Sequence, residues 1–502
     1  MEEARFLGLI FDRALSWKPH LASLKVACLK AMDLVKFLSH TSWGSDSKTL
    51  WMLYTALVQS KLDYGCQVYS SACDSHLRTL EPVRNLGVRL ASGAFKSSPV
   101  VSLYAHEGVL PLPYHRAVRN LQYVCRVGQV RSSPTYDCLF GPASAAPYDQ
   151  RPSARRPFGL RVAEDGAGLL PFRVLPYQVP PCPPWLLTRP QICRDLPIGP
   201  KADYIPALLR AYILGHINSH VRSIHVFTDG SKTSSGVGAA VVFPSFSTAI
   251  ALPPAASIYT AELAAILSAL YFISFLPSGS FTIFTDSRSV LQAIGTQDLG
   301  HPLVAKVCFW VHALSSLSEV HFCWVPSHIG IAGNEKADLL AKAASLEEAP
   351  ANAPLPHRDY FPAIRDFVLR EWQQDWDAHP PTKLHPIKPS VKPWTESRAL
   401  GRREGAVLTH LRIGHTRLTH GFLMSGDECP TCARCGAQMT VLHIFTGCQP
   451  LRVIARRHFD FIRWDWPPTE ILRALLSPES THFNIDYVFN FLREIGLLDR
   501  IC

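Results

Sequence analysis

Residues 201–346 predict an α/β unit, a five-stranded mixed sheet with flanking helices, set after a mainly helical region and before a small α+β region with metal-ligand spacing. Three observations carry that prediction. Three short β-rich runs follow one another between Ile224 and Leu252, which implies an antiparallel meander. Two later β-rich runs are separated by stretches of helical period, which implies parallel additions to the same sheet. The first run and the fourth both close on Phe-Thr-Asp, at Asp229 and Asp286.

Taken in order, residues 1–133 are mixed apolar and basic segments of helical character, and residues 134–200 contain 14 prolines, too many for regular helix or a central strand. The α/β unit opens with Ile224 to Asp229, a strand that delivers its acid as it reaches the polar turn Gly230-Ser231-Lys232. Val237 to Phe243 and Ser247 to Leu252 complete the meander; the Gly236-Val237-Gly238 pair inside it marks tight packing, since the rest of a dinucleotide fingerprint is missing. Ile258 to Phe275 repeats apolar residues at helical spacing and places Glu262 in its first turn or two. The strand Phe281 to Asp286, a helical stretch Ser287 to Ile294, the strand Val320 to Val325 and the helix Gly333 to Ala344, which carries Asp338, follow. Residues 347–400 form a second proline-rich connection with one helix, Ala363 to Trp376, and residues 401–502 make the final region.

Asp229, Glu262, Asp286 and Asp338 thus sit where strand ends and helix faces aim them at one point. Oxygen-only ligands suit hard cations such as Mg2+ or Mn2+. Two such ions roughly 3.5 to 4 Å apart stabilise the attacking and leaving oxygens of an in-line displacement at phosphorus. That is nuclease chemistry.

The most specific string is Trp324-Val325-Pro326-Ser327-His328-Ile329-Gly330-Ile331-Ala332-Gly333-Asn334-Glu335-Lys336-Ala337-Asp338. It resembles the last motif of type 1 ribonuclease H domains, and Thr228-Asp229-Gly230-Ser231, Thr260-Ala261-Glu262-Leu263 and Thr285-Asp286-Ser287 resemble the other three in the same order, over about Ser223 to Leu346. The resemblance implies the ribonuclease H fold, Asp229, Glu262, Asp286 and Asp338 as metal ligands, and His328 as a mobile-loop histidine that moves protons or releases product. Gly330 and Gly333 are expected to give that loop its geometry and motion, with Asn334 capping the helix of Asp338. The implied substrate is an RNA–DNA hybrid, read through its 2′-hydroxyls and cut in the RNA strand. One departure stands out: the basic insertion of some members is replaced by Gly295 to Pro302, without Lys or Arg.

Cys432, Cys435, His443 and Cys448 form a C-x2-C-x7-H-x4-C series whose number and softness suit a closed, structural Zn2+ site, with Cys429 a competing fifth candidate. Leu411 to Gly421 precedes it with Arg412, His415, Arg417 and His420, a hypothetical nucleic-acid contact. Together with Thr440-Val441-Leu442-His443 and Cys448-Gln449-Pro450, these residues resemble the tail after the ribonuclease H domain in non-LTR (LINE-type) retrotransposon polyproteins. Phe6 to Asp12, Leu15 to His20 and Leu57 to Gly65 resemble the end of a reverse transcriptase of such elements, its thumb and connection. No Asp-Asp pair occurs in the chain, so the palm turn that holds polymerase metal is missing and polymerisation is not expected. The resemblance implies a truncated retrotransposon product that begins past the palm and associates with a full-length polymerase; the alternative is a catalytically idle nucleic-acid-binding remnant.

The net charge is +10, yet residues 224–345 carry two more acids than bases while residues 1–200 carry nine more bases than acids. Phosphate affinity is therefore expected from the basic flanking regions. The fourteen cysteines are dispersed, and neither a secretory signal nor a membrane span is present, which predicts reduced thiols in an intracellular compartment.

Overall fold

A computed structural model describes residues 2–141, 156–166, 169, 172–193, 205–220, 222–350, 353–395 and 400–502. The chain divides into two compact units, one made of Met1–Asn120, Ala145–Asp165 and Asp366–Cys502, the other of Leu121–Ser144 and Gly166–Arg365.

The second unit is built on one mixed sheet. Its elements are β1 (Gln191–Cys193), α1 (Pro206–Ser219), β2 (Ile224–Lys232), β3 (Val237–Val242), β4 (Ser247–Leu252), α2 (Ile258–Ile273), β5 (Ser280–Thr285), α3 (Arg288–Gly295), α4 (Pro302–Leu314), β6 (Glu319–Trp324) and α5 (Ala332–Ala344). The strand order is β1-β6-β5-β2-β3-β4. The meander β2-β3-β4 is antiparallel, and β5, β6 and β1 add in parallel. Five of these strands are the expected ones. The sixth, β1, lies in the proline-rich stretch; it is three residues long and on the sheet edge, where proline neighbours are tolerated. That stretch also holds helices at Pro134–Phe140 and Phe158–Asp165.

Packing follows strand alternation. Val226, Val241, Phe281, Ile283 and Phe322 face one way, into a core with Leu263, Ile266 and Leu270 of α2 and residues of α3 and α4. Phe284, Cys323 and Val325 face the other way, under Leu209, Ile213 and Ile217 of α1. Gly238 serves close packing as expected: a Cβ there would lie 2.2 Å from the Ala341 carbonyl oxygen of α5.

Among the described residues the first unit is helical apart from a hairpin, Glu3–Phe6 paired with Leu9–Asp12, and one isolated bridge between Thr431 and Gln438. Its helix Lys18–Phe37 buries Leu21, Leu24, Cys28, Met32 and Val35, an i, i+3, i+4 stripe. Arg402 donates to the carbonyls of Ser39, Leu90 and Ala91, so the C-terminal helices and the N-terminal ones share one scaffold. The α+β character expected of residues 401–502 reduces to that single bridge, because the region's apolar residues recur at helical period: Ile485, Val488, Phe489 and Leu492 are buried on one helix. Among the described residues no helix is long and apolar enough to cross a membrane.

Candidate functional site

The repeated Phe-Thr-Asp runs build the floor of the site. Phe227 and Phe284 are partners in the last step of the parallel β2–β5 ladder. Asp229 and Asp286 each lie two residues further on, Asp229 still in its strand on the face of the Phe227 ring and Asp286 just past the end of its own. β5 stops at Thr285, whereas β2 continues against β3 as far as Lys232 paired with Val237. Asp229 is thus inside its strand, not at its end as the polar turn suggested: one neighbour has left while the other still pairs. The sheet forks at the acids.

Two helices complete the cluster. The Ser257 side chain caps α2 by accepting from the Thr260 N–H at 3.1 Å, which sets Glu262 in the second turn. A Cβ on residue 230 would lie 2.7 Å from the Glu262 nitrogen and 2.8 Å from the Ala261 Cβ, so Gly230 lets α2 reach the strand. On the other face a Cβ on residue 333 would lie 2.2 Å from the Phe227 ring. Gly333 is therefore a packing residue inside α5 and not the source of loop motion expected of it. Asn334 is no cap either: α5 begins at Ala332, and Asn334 is buried in its first turn with Oδ1 lacking a hydrogen-bond partner.

Asp229, Glu262 and Asp286 each offer an oxygen within 4.8 Å of the others. Asp338 lies close enough to Asp229 to raise it and, with His328 and Glu335, forms a second group of the same span. The five predicted residues therefore form one continuous constellation with Asp338 as its link. Burial first, and then Asp286 and Asp338, push Asp229 up to about 7. Burial, then Asp229 and Asp286, raise Glu262 well above the usual carboxylate range despite hydrogen bonds from Gly230 and Thr285. Glu262 Oε2 is buried with no hydrogen-bond partner. Acids so crowded ionise together only beside a cation, and an orphaned carboxylate oxygen is a ligand in search of one. The donor set fits a divalent ion.

Four further residues support the acids. The Trp324 indole N–H donates to the Asp286 carbonyl at 3.0 Å, and Arg288 stacks 3.7 Å over that ring. Lys342 Nζ pairs with Asp338 at 2.7 Å, and Glu335 accepts from the Gly330 N–H at 3.1 Å. Only Lys342, four residues after Asp338 on a helix, left a readable signal. His328 is exposed and left-handed at φ 52°, and Gly330 takes φ 80°, as the loop geometry expected of it requires.

In the first unit, the ligand atoms of Cys432, Cys435, His443 and Cys448 also lie within 4.8 Å of one another. Cys432 and Cys448 sulfurs are 3.8 Å apart, and Cys435 Sγ is 3.3 Å from His443 Nε2. Bonds of about 2.3 Å to a tetrahedral Zn2+ put two sulfurs about 3.8 Å apart. The turn is shaped by the Cys432 N–H donating to the Ala437 carbonyl and by Gly436 at φ 73°. Cys429 stands outside the group and accepts from Gln438 Nε2. Arg412, offered as a nucleic-acid contact, is buried: its Nε donates to the Leu476 carbonyl and its guanidinium lies 4.3 Å over Trp394. Burial and neighbouring cationic groups hold His415 at about 3 and His420 at about 4, so neither brings positive charge to the stretch.

A family model described as RNase H matches residues 221–346. The chain is 31% identical over 91 residues to the "Probable RNA-directed DNA polymerase from transposon X-element" of Drosophila melanogaster, an alignment that covers 18% of this chain and 10% of that protein. The chain thus spans about a tenth of that relative's length. Among solved structures, RNase H1 from the halophilic archaeon Halobacterium salinarum NRC-1 is 21% identical with a TM-score of 0.21, covering 24% of this chain and 96% of that one. The foamy viral protease-reverse transcriptase in complex with dsDNA is 21% identical with a TM-score of 0.22, covering 25% and 94%. With the family match and the fork of acids in the same segment, residues 221–346 form an RNase H domain.

Proposed function

We propose that this chain is an endoribonuclease of type 1 that hydrolyses the RNA strand of RNA–DNA hybrids, within a retrotransposon-derived polyprotein. The convergence of Asp229, Glu262 and Asp286, with Asp338 near enough to raise Asp229, carries the reading. These four residues would hold two Mg2+ or Mn2+ ions, which when bound supply charge to the attacking and leaving oxygens at phosphorus. The chain does the rest. Trp324 fixes the backbone of Asp286, Lys342 orients Asp338, and the close approach at Gly230 holds Glu262 against the strand. His328, exposed on its loop, takes or returns a proton as product departs. The Cys432, Cys435, His443 and Cys448 cluster holds a structural Zn2+, and phosphate affinity comes from the basic flanks, where a full-length polymerase of the same element would also dock.

The test is cleavage of a labelled RNA–DNA hybrid with Mg2+, with duplex RNA and duplex DNA as controls and Asp286→Asn alongside. Hybrid-only cleavage, lost in the variant, is the expected result. Hybrid bound but not cut by the parent chain would replace this reading with that of a binding remnant.

A further inference from the structure

A third ligand cluster lies outside both sites. Cys193 and Cys323 are register partners in the parallel β1–β6 ladder, so their side chains emerge together on the face covered by α1. His220, the residue just past the end of α1, brings Nε2 to 3.7 Å from Cys323 Sγ. Sulfur, sulfur and nitrogen all fall within 4.8 Å of one another. A tetrahedral ion with bonds of about 2.3 Å to sulfur and about 2.0 Å to nitrogen holds such a pair about 3.5 Å apart. His216 is one helical turn before His220, and their rings are 5.3 Å apart, close to the roughly 5 Å of two imidazoles on one tetrahedral ion. His225 and His321 border the cluster on the same face: both align with Thr282 in adjacent ladders, two residues before the Phe284–Cys323 pair. Cys193 and His220 are half-buried, which leaves an approach for an ion, whereas Cys323 is fully enclosed.

We propose that Cys193, Cys323 and His220, with His216 turning in as the fourth ligand, form a zinc site in the RNase H unit. Two thiolates and two imidazoles make a closed tetrahedral shell of the kind structural Zn2+ takes, and oxygen-seeking Mg2+ is a poor competitor for it. The ion would fasten a three-residue edge strand and the end of α1 to β6. The fastening reaches the catalytic side of the domain, because the other end of α1 supports the His328 loop: Leu209 and Ile213 pack with Ile329 and Ile331, and the Arg210 side chain lies against Gly330.

The test is Co2+ titration of the metal-stripped full chain under reducing conditions, read by thiolate-to-cobalt charge transfer, a band that carboxylate-bound cobalt lacks. The parent should take two thiolate-bound ions. Cys435→Ser should leave one and Cys193→Ser should leave one. The double variant should show no tetrahedral thiolate site, and His220→Ala should match Cys193→Ser. Circular dichroism checks folding, and Cys193→Ala, at a half-buried edge position, repeats the measurement if His220→Ala misfolds. Charge transfer unchanged by both the Cys193 and the His220 variants, or wholly lost in Cys435→Ser, would overturn the proposal. A Cys193–Cys323 disulfide in the protein purified without reductant, seen as the loss of two hydrogens in the intact mass and persisting as the only modification that blocks cobalt, would overturn it as well.

Discussion

At the scale of single residues the site is a problem of crowded charge. Asp229 sits at about 7 because burial, Asp286 and Asp338 all disfavour its anion, so the folded chain holds a proton there that the unfolded chain, near 3.8, has already released. Stability of the metal-free protein is therefore greatest at low pH with respect to this group and falls as pH rises from about 4 to about 7, by roughly 4 kcal/mol if the whole shift is realised. Denaturant melts across that window should show the decline, and Mg2+ should flatten it; a melt that strengthens toward pH 7 without metal contradicts the burial and repulsion described here. Asp229→Asn should remove cleavage while leaving the melting temperature unchanged or higher, since it deletes a repelling charge. Trp324→Phe loses the donor that fixes Asp286 and should lower turnover about tenfold with little change in hybrid affinity, the usual scale for a residue behind a ligand. The acids themselves were legible because each came inside a string of specific neighbours. Trp324 was visible as a letter, but its role depends on a hydrogen bond across the sheet that no local spacing encodes.

Elements were legible where period is strong. The strand Ser247–Leu252 falls where its alternation places it, and the other strands of the meander and the later pair shift by a residue or a few. Strand β1 escaped because three residues are too few to show alternation and because prolines surround it. The helix of Asp338 begins one residue ahead of the expected Gly333 because buried Ile331 already anchors the chain before Ala332, which leaves Asn334, cap-like by type, inside the first turn. Glycine carries more of the architecture than turn chemistry suggests. Gly230→Ala places a Cβ against the backbone of α2, so it should cost on the order of 1–3 kcal/mol and displace Glu262. Thermal melts and Mg2+ titration together check this: lost stability with unchanged metal affinity would mean that the helix shifts without moving the acid.

For the whole molecule, charge and chain order matter most. The RNase H segment carries an excess of acids and the N-terminal two hundred residues an excess of bases, so hybrid affinity should fall steeply with salt, with a log–log slope close to −0.9 for each phosphate contacted. A shallow slope in a filter-binding series would remove the flanks from the binding surface. Cys435→Ser should lower the unfolding temperature by several degrees in calorimetry, because Cys432 and Cys448 are part of the first unit's apolar core. That core has a further consequence for synthesis. Val88, Leu103 and Tyr104 share it with Trp376, Phe445 and Phe491, residues that leave the ribosome only after the entire sheet of the second unit has been made. The early helices must therefore wait with apolar surface uncovered while later codons are read, and a ribosome that stalls after residue 365 releases a chain with a finished sheet and an unfinished, aggregation-prone first unit.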